Sequence, residues 1–381
     1  MILVNARGAA ARPLPRHTGR GAALWRDLSE TKTELADRGV SFAGVLQADG
    51  SHVFAGGVPR ALTFDGQYLW DLNLTVDTRA LFGWRGGTLF LDAQSHAGPS
   101  VDVRQVPAIA DPDNMDARAE TSLDRAWYQQ DLESRRLRVR IGLMYVDDQF
   151  LTVPFGEHFV SLDFSSNASI SAFVLPTYPR GAWGGDAFAY PTRSLSFALG
   201  VFRDDATELP YNPHGTLIIT EGAWRGARDG LPVKLQVGGW VDEAAFRRFS
   251  GGIVHHAAGA YLVASGTLWR QTDDRGIGAF LEFGRAPPAL AFVRQNLGVG
   301  IAWTGPWSAR PHDQFGIAYA RSELATHAGF TQDFESEIEA YYRFAVSPDW
   351  SVQPDIEYWA HPGGGDTPST VLGLVRVTLA F

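Results

Sequence analysis

The feature that most constrains the fold is an alternation of apolar and polar residues with a period of two. In residues 68–77, Leu72 and Leu74 belong to an apolar row and Asn73 stands between them. The pattern recurs in residues 137–145, 233–242, 277–283, 297–303, 315–319, 338–344, 352–358 and 371–381. Because successive side chains of a strand point to opposite faces, this period predicts an all-β chain whose strands have one apolar and one polar face.

The number and spacing of these runs favour a membrane-spanning barrel. About fifteen or sixteen strand-like runs follow Gly39, and roughly 21 residues per strand and connection suit tilted spanning strands of about 9–11 residues. Short turns, such as the one at residues 86–87, alternate with long Pro- and Asp-rich stretches at 97–120 and 204–214. Short turns at one end and long loops at the other are typical of outer-membrane barrels.

Aromatic residues end many of the apolar rows, and no segment has the pattern of a membrane-spanning helix. These terminal aromatics are Tyr68, Tyr145, Trp303, Tyr319, Phe344, Tyr358 and Phe381. Aromatic rings at strand ends form the girdles of transmembrane barrels, where they lie at the level of the lipid headgroups. The sequence therefore predicts a transmembrane antiparallel β-barrel of about 16 strands.

The first 39 residues are expected to form a separate unit. Asp27 with Glu30 three residues later predicts the start of a short helix, and Gly39 its end. The stretch up to Arg26 holds five arginines and no acid, but it lacks the apolar core of a signal peptide. A trimmed or mis-assigned start would leave the same appearance. We expect a basic tail and helix at 1–39 and a barrel at 40–381.

Composition and motifs exclude several classes of function. The chain has no cysteine, which excludes disulfide scaffolds, thiolate metal sites and cysteine nucleophiles. Its net charge of −9 disfavours nucleic-acid binding. Residues 111–116 begin like a calcium loop, but Asp116 replaces the required glycine and Ser122 the required acid. Without a nucleophile elbow or a catalytic cluster, we expect no enzyme activity, no cofactor and no metal.

Several stretches resemble the carbohydrate-selective outer-membrane porins of the OprB family. They are LADRGVSFAG at 35–44, LFGWRGGTLFLDAQSHAG at 81–98, LWRQTDDRGIGAFLEFGRAP at 268–287 and VQPDIEYWAHPGGGDTPSTVLGLVRVTLAF at 352–381. The resemblance implies a 16-stranded barrel of the diffusive type, with a constriction where sugars touch charged and aromatic side chains. It also implies that the terminal Phe381 is presented to the barrel-assembly machinery.

Two regions depart from the family pattern. The family usually has a GDWGG-like run before its first helix, whereas this chain has GAALWRDLSETK. Residues 144–190 look compressed where the family places a strand hairpin and an inward-folded segment. The first departure concerns the N-terminal cap, and the second concerns pore width and sugar selectivity.

Charged residues on the polar face are the candidates for contact with solute. An inward row of Arg136, Arg138 and Arg140, with Arg125 on the preceding strand, offers permanently charged donors to sugar hydroxyls. Acidic residues on other strands could accept hydroxyl protons and set up a transverse field: Asp92, Glu337, Glu339, Asp355 and Glu357. Alternatively, these charges pair with one another and fill a polar lumen.

Two tryptophans fall on the polar register of their strands. Trp240 and Trp359 could stack on the apolar face of a pyranose ring. The other interpretation places them near a rim or against a loop.

These observations predict an outer-membrane porin of a Gram-negative bacterium. It would pass carbohydrates or similar small polar solutes by diffusion, without energy coupling, as a monomer or homotrimer in outer-membrane lipid. A barrel for polysaccharide export or envelope assembly is the alternative. A barrel-embedded hydrolase and a soluble lectin-like sandwich are further alternatives from other classes.

Overall fold

A computed structural model describes residues 30–59, 64–204 and 215–381. Residues 30–37 form helix α1, and Gly39 follows in a left-handed conformation with φ +85°. The helix therefore ends at the expected place, while the expected cap at Asp27 lies outside the described residues. Three further helices are short: α2 (Thr78–Phe82), α3 (Val101–Arg104) and α4 (Ala168–Ser171). Within the described ranges, no helix is long and apolar enough to cross a membrane.

The rest of the chain is dominated by antiparallel strands. They are β1 (Val40–Ala55), β2 (Asp65–Asp77), β3 (Gly87–Ala97), β4 (Glu120–Leu132), β5 (Leu137–Met144), β6 (Ala182–Ala189), β7 (Leu195–Asp204), β8 (Gly215–Arg228), β9 (Leu231–Asp242), β10 (Phe246–Arg247), β11 (Ile253–Val254), β12 (Ala257–Thr272), β13 (Arg275–Arg285), β14 (Val293–Thr304), β15 (Gln314–Leu324), β16 (Phe334–Ala345), β17 (Trp350–Ala360) and β18 (Thr370–Ala380). Strands β10 and β11 form a separate two-stranded hairpin, and the others form one closed barrel. The predicted barrel of about 16 strands is confirmed.

The first and last strands close the barrel. β1 pairs with β2 on one side and with β18 on the other, in register from Val45 opposite Ala380. The terminal residue extends this ladder, because Phe381 and Gly44 exchange two backbone hydrogen bonds of 2.9 Å. Gly44 also leaves room for the ring of Phe381, which a side chain at position 44 would strike.

The two ends of the barrel differ. Connections as short as 229–230 and 273–274 lie at one end, called here the turn end. The long connections 98–119 and 145–181 start from the other end, called the loop end. This is the asymmetry that the sequence predicts.

The alternation places the apolar rows on the outer face. Leu72, Ile338, Ile356 and Val375 are each 44–50% exposed, because no part of the described chain covers them. Among the predicted girdle residues, Tyr68, Tyr319, Phe344 and Tyr358 face outward. Tyr145 was wrongly assigned to this girdle, since β5 ends at Met144 and the buried Tyr145 turns into the barrel.

Two long connections fold into the lumen. The first inward segment is residues 98–119 and the second is residues 145–181. The second segment builds an apolar core against one half of the wall, where the inward residues are themselves apolar: Phe188, Phe202, Leu217, Ile219, Tyr261, Val263 and Phe280. A barrel of this width leaves a lumen that side chains alone do not fill, and here chain from the loop end occupies it.

A charge on the apolar outer face tests this orientation. We expect Ile356→Arg, near the middle of β17, to lower the free energy of unfolding in lipid vesicles by about 2–4 kcal/mol. The control is Val346→Arg, in the turn after β16, where an equally exposed apolar residue lies outside the strands. Equal losses in the two variants would contradict the lipid-facing assignment.

Candidate functional site

A cavity of about 980 Å³ remains in the lumen between the inward segments and the wall formed by β1–β4. Strand residues such as Gln47, Asn73 and Gln94 line it on one side, and Asn114 and Tyr178 of the inward segments line it on the other. Its lining also includes residues of the turn end: Lys32, Pro348, Asp349 and Phe381. The space therefore extends from the inward segments to the turn end along one half of the barrel.

Arg125 is the predicted basic residue that borders this cavity. Its guanidinium donates from Nε to Asp92 at 2.7 Å, from Nη1 to Asp148 at 3.3 Å and from Nη2 to Asp71 at 3.2 Å. It also lies 4.9 Å from the centre of the Tyr145 ring. Asp148 and Tyr145 belong to the second inward segment, so Arg125 ties that segment to β2 and β3.

Arg138 and Arg140 point into the barrel from β5, but both are committed to neighbours. Arg140 is 3% exposed and pairs with Asp186 on β6, with an Nη2–Oδ2 distance of 2.5 Å. Arg138 donates to Gln149 of the second inward segment and stacks over Phe188 at 4.5 Å. Arg136 is not part of this row, because it lies exposed in the turn at the end of a short 3₁₀ element.

The predicted acidic residues of β16 hold an inward segment. Glu339 accepts the backbone N–H groups of Val160 at 2.7 Å and Ser161 at 3.1 Å, and Glu337 accepts the hydroxyl of Ser161 at 2.6 Å. Both carboxylates are at most 1% exposed. Charge-assisted bonds of this kind satisfy backbone donors that have no strand partner inside the barrel.

Asp355 and Glu357 lie beside them on β17, and the two candidate tryptophans are buried. Trp359 is fully buried and donates its indole N–H to Glu357 at 2.7 Å. Trp240 is 3% exposed and packs against Phe173 of the second inward segment, with ring centres 6.0 Å apart. Both tryptophans therefore pack against inward segments, and neither ring borders the cavity.

The structure adds two binding residues that the sequence candidates omit. Glu335 accepts backbone N–H groups of Ile109, Ala110 and Gly363. Arg376 binds Asp49 at 2.6 Å, Asp113 at 3.0 Å and Asn114 at 2.9 Å, and so ties the first inward segment to β1. The alternation predicts that both side chains point inward. It does not predict their partners in the first inward segment, which lie more than 200 positions away in the chain.

Three carboxyl groups of the inward segments border the cavity and are shifted toward their neutral forms. Burial, followed by repulsion from Asp148, raises the pKa of Asp147 to about 6. Burial also raises the pKa of Asp111 and of Asp116 above the ordinary value. The cavity lining therefore becomes more negative as these groups ionise with rising pH.

Removal of the Glu335 carboxylate should release the first inward segment. We expect Glu335→Ala to cost on the order of 1–3 kcal/mol of unfolding free energy for each buried N–H left without an acceptor, and to make residues 98–119 sensitive to protease. Denaturant unfolding and limited proteolysis measure both effects. The control Glu323→Ala removes a partly exposed pair with Arg294 (2.9 Å) and should cost at most about 1 kcal/mol. Similar losses in both variants would contradict the assignment.

The raised pKa values predict pH-dependent ion selectivity. We expect selectivity for cations over anions to rise as the pH increases from about 5 to about 8, because Asp147 ionises within this window. Reversal potentials in planar bilayers under a salt gradient measure the change. Asp147→Asn should reduce the rise, and Asp366→Asn, an exposed carboxylate of the loop end away from the cavity, should not. Identical pH profiles in wild type and Asp147→Asn would refute the prediction.

Comparisons with known proteins agree with this architecture. The chain is similar to OprB of Pseudomonas putida in its high-pH structure, with a TM-score of 0.86, 20% identity, and coverage of 93% of this chain and 97% of that chain. It resembles OmpF of Salmonella typhi more distantly, with a TM-score of 0.56 and 12% identity over 90% of this chain and 98% of that one. A curated relative, a putative porin named QuiX from Acinetobacter baylyi, is 20% identical over 90% of this chain and 89% of its own length.

The family is shown by a sequence model that covers most of the chain. Residues 63–381 match the model described as carbohydrate-selective porin, OprB family. Together with the closed 16-strand barrel, this match identifies the chain as a member of the OprB family of carbohydrate-selective porins.

Proposed function

We propose that this porin lies in the outer membrane of a Gram-negative bacterium and passes carbohydrates by diffusion along the β1–β4 wall. The observation that carries the proposal is the cavity of about 980 Å³ left between this wall and the inward segments. The process needs no energy coupling and no covalent step, so we assign no enzyme activity. Weak contacts at several points suit such a passage, because a tightly bound sugar would not leave.

The lining of the cavity has the chemistry that sugar hydroxyls require. Asn73, Thr75 and Gln94 offer neutral donors and acceptors from the strands, and Asn114 offers an amide from the first inward segment. The rings of Phe90 and Tyr178 provide apolar surfaces on which a pyranose face can lie. A neutral polyol can use both kinds of contact as it passes.

Charge in the cavity disfavours anions. The charged residues among the lining are the bases Lys32, Arg118 and Arg125 and the acids Asp71, Asp111, Asp116, Asp147 and Asp349. Arg125 is committed to three carboxylates, and the acids outnumber the bases once Asp111, Asp116 and Asp147, whose pKa values burial raises, have ionised. We therefore assign neutral carbohydrates as the preferred solutes, with cations tolerated better than anions.

The predicted site residues separate into two roles in this proposal. We assign Arg125 to solute contact, because it borders the cavity. Most of the other inward residues hold the inward segments or their partners: Asp92, Arg138, Trp240, Glu337, Glu339, Glu357 and Trp359. Arg140 joins β5 to β6, and Asp355 lies beside Glu339 on the inner face. Arg136 takes neither role, since it is exposed at the turn end. An export barrel would need exposed aromatic rings along the lumen, and the buried Trp240 and Trp359 give it no support.

We further propose that the chain divides into a tail and helix at 1–39 and a barrel at 40–381. The support is the start of β1 at Val40, directly after α1 and Gly39. Outer-membrane lipid would contact the apolar outer face. The oligomeric state, monomer or homotrimer, stays a prediction.

A matched pair of substitutions tests the route. We expect Asn73→Trp to lower bilayer conductance and slow liposome swelling in mono- and disaccharides several-fold, because position 73 lines the cavity. Leu72→Trp adds the same ring one residue away on the outer face, where Leu72 is 44% exposed, and should leave both rates unchanged. Unaltered conductance in Asn73→Trp would place the route elsewhere in the lumen.

A further inference from the structure

Four carboxylates form a compact patch on the inner face of β16 and β17, away from the cavity lining. Glu337 and Glu339 lie two residues apart on β16, and Glu357 lies directly opposite Glu339 on β17. Asp355 lies two residues before Glu357 on β17, and its side chain faces the same side of the strand. Their exposed fractions are 1% for Glu337 and Glu357, 0% for Glu339 and 7% for Asp355.

The hydrogen bonds of this patch leave several oxygen atoms unused. Glu339 accepts two backbone N–H groups, and Glu337 and Glu357 each accept one donor, from Ser161 and Trp359. Within the described chain, Oε1 of Glu337 and Oε1 of Glu357 accept no donor, and neither do the oxygens of Asp355, whose carboxyl group lies within hydrogen-bonding reach of the Glu339 carboxyl group. Burying a carboxylate oxygen without a hydrogen-bond donor costs free energy unless a positive charge lies close to it.

The nearby cations supply only part of this compensation. Arg376 attracts Glu339, Asp355 and Glu357 without forming an ion pair with any of them. Arg376, on the neighbouring strand, is bound to Asp49 and Asp113. Arg343 and His158 face the Tyr341 side of the patch, where the His158 and Tyr341 rings are 6.5 Å apart. In the part of the chain that the structure describes, none of the four carboxylates forms an ion pair within 4.0 Å.

We propose that Glu337, Glu339, Asp355 and Glu357 bind a divalent cation of the calcium type. One oxygen each from Glu337, Glu339 and Glu357 lie within 4.8 Å of one another. Two ligands of one calcium ion, each at about 2.3–2.6 Å, are separated by at most about this distance. Asp355 lies outside this set of three, and its two unused oxygens stand next to Glu339, from where a small side-chain movement would bring one to the ion. Calcium accepts six to eight oxygen ligands in flexible geometry.

The site links the barrel wall to the second inward segment. Glu337 and Glu339, the β16 ligands, are also the residues that hold Val160 and Ser161. A bound cation cancels the repulsion among the carboxylates and so stabilises the inward position of this segment. This site is separate from the calcium-like run at 111–116. The proposal departs from the expectation that the chain binds no metal.

Terbium luminescence tests the site, because Tb³⁺ replaces Ca²⁺ at oxygen sites and is excited through a nearby indole. We expect full-length, detergent-purified protein to give tryptophan-sensitised Tb³⁺ emission that Ca²⁺ displaces, with one ion bound per chain in equilibrium dialysis. Trp359→Phe should remove most of the emission but leave Ca²⁺ binding intact, since its indole bonds to a ligand carboxylate. Trp224→Phe, which changes an exposed indole on the outer face, should leave the emission unchanged.

The ligand variants complete the test. Asp355→Asn/Glu357→Gln should weaken Ca²⁺ binding at least tenfold and abolish the rise in unfolding temperature that Ca²⁺ gives the wild type over EGTA. The matched control is Glu221→Gln, which alters a buried carboxylate of β8 that bonds to Leu151, Gln236 and Tyr261, and it should keep the full Ca²⁺ effect. Absence of stoichiometric binding to wild type, or equal Ca²⁺ effects in wild type and the ligand variant, would overturn the site and indicate carboxyl groups neutralised by protons.

Discussion

The closed hydrogen-bond ladder between β1 and β18 is the interaction on which the rest of the structure depends. In lipid every backbone N–H and C=O must find a partner within the protein, and only closure removes the two free edges of a sheet. Closure with 16 strands also sets the width of the lumen. The outer face can then be apolar throughout, because the backbone groups behind it are already satisfied.

A lumen of this width creates a second requirement, which the inward segments meet. Chain that enters the barrel loses its water and needs new partners for its backbone, and carboxylates on the wall provide them. Glu335 holds the first segment and Glu339 the second. The two halves of the wall differ. The second segment packs on the apolar half, whereas the half formed by β1–β4 borders the cavity. The contacts that hold the inward segments therefore narrow the lumen and also determine where the cavity remains.

The charges of the lumen act mostly in local pairs and not as two opposed rows. Arg140 binds Asp186 on the adjacent strand, and Arg376 binds Asp49 on the adjacent strand. Paired in this way, arginines contribute little net field across the opening, and the selectivity of the passage depends on unpaired and neutral groups along it. The carboxylates of β16 and β17 are the exception, because they are buried and none of them forms an ion pair within the described chain. The proposed cation would supply the missing positive charge.

The sequence by itself determined the strand period, the outward rows and the barrel, because side-chain alternation is a local property that each strand displays on its own. The family followed separately, from the stretches that resemble it. Val375 and Arg376, for instance, already take opposite faces in the sequence.

Only the tertiary structure decided what the inward residues touch. Leu217 and Ile219 face a part of the lumen that the second inward segment fills. The run Leu217–Ile218–Ile219 is apolar on both faces of its strand, and this pattern could have predicted the filling. Arg136 left the inward row because the turn before β5 ends there. Trp240 and Trp359 are buried by the inward segments: Trp240 packs against Phe173, and Trp359 lies in an apolar cluster with Val101 and Val106. Contacts between the wall and the inward segments join residues from 11 positions apart, as in Arg138 and Gln149, to 226 positions apart, as in Ile109 and Glu335, and no local pattern encodes them.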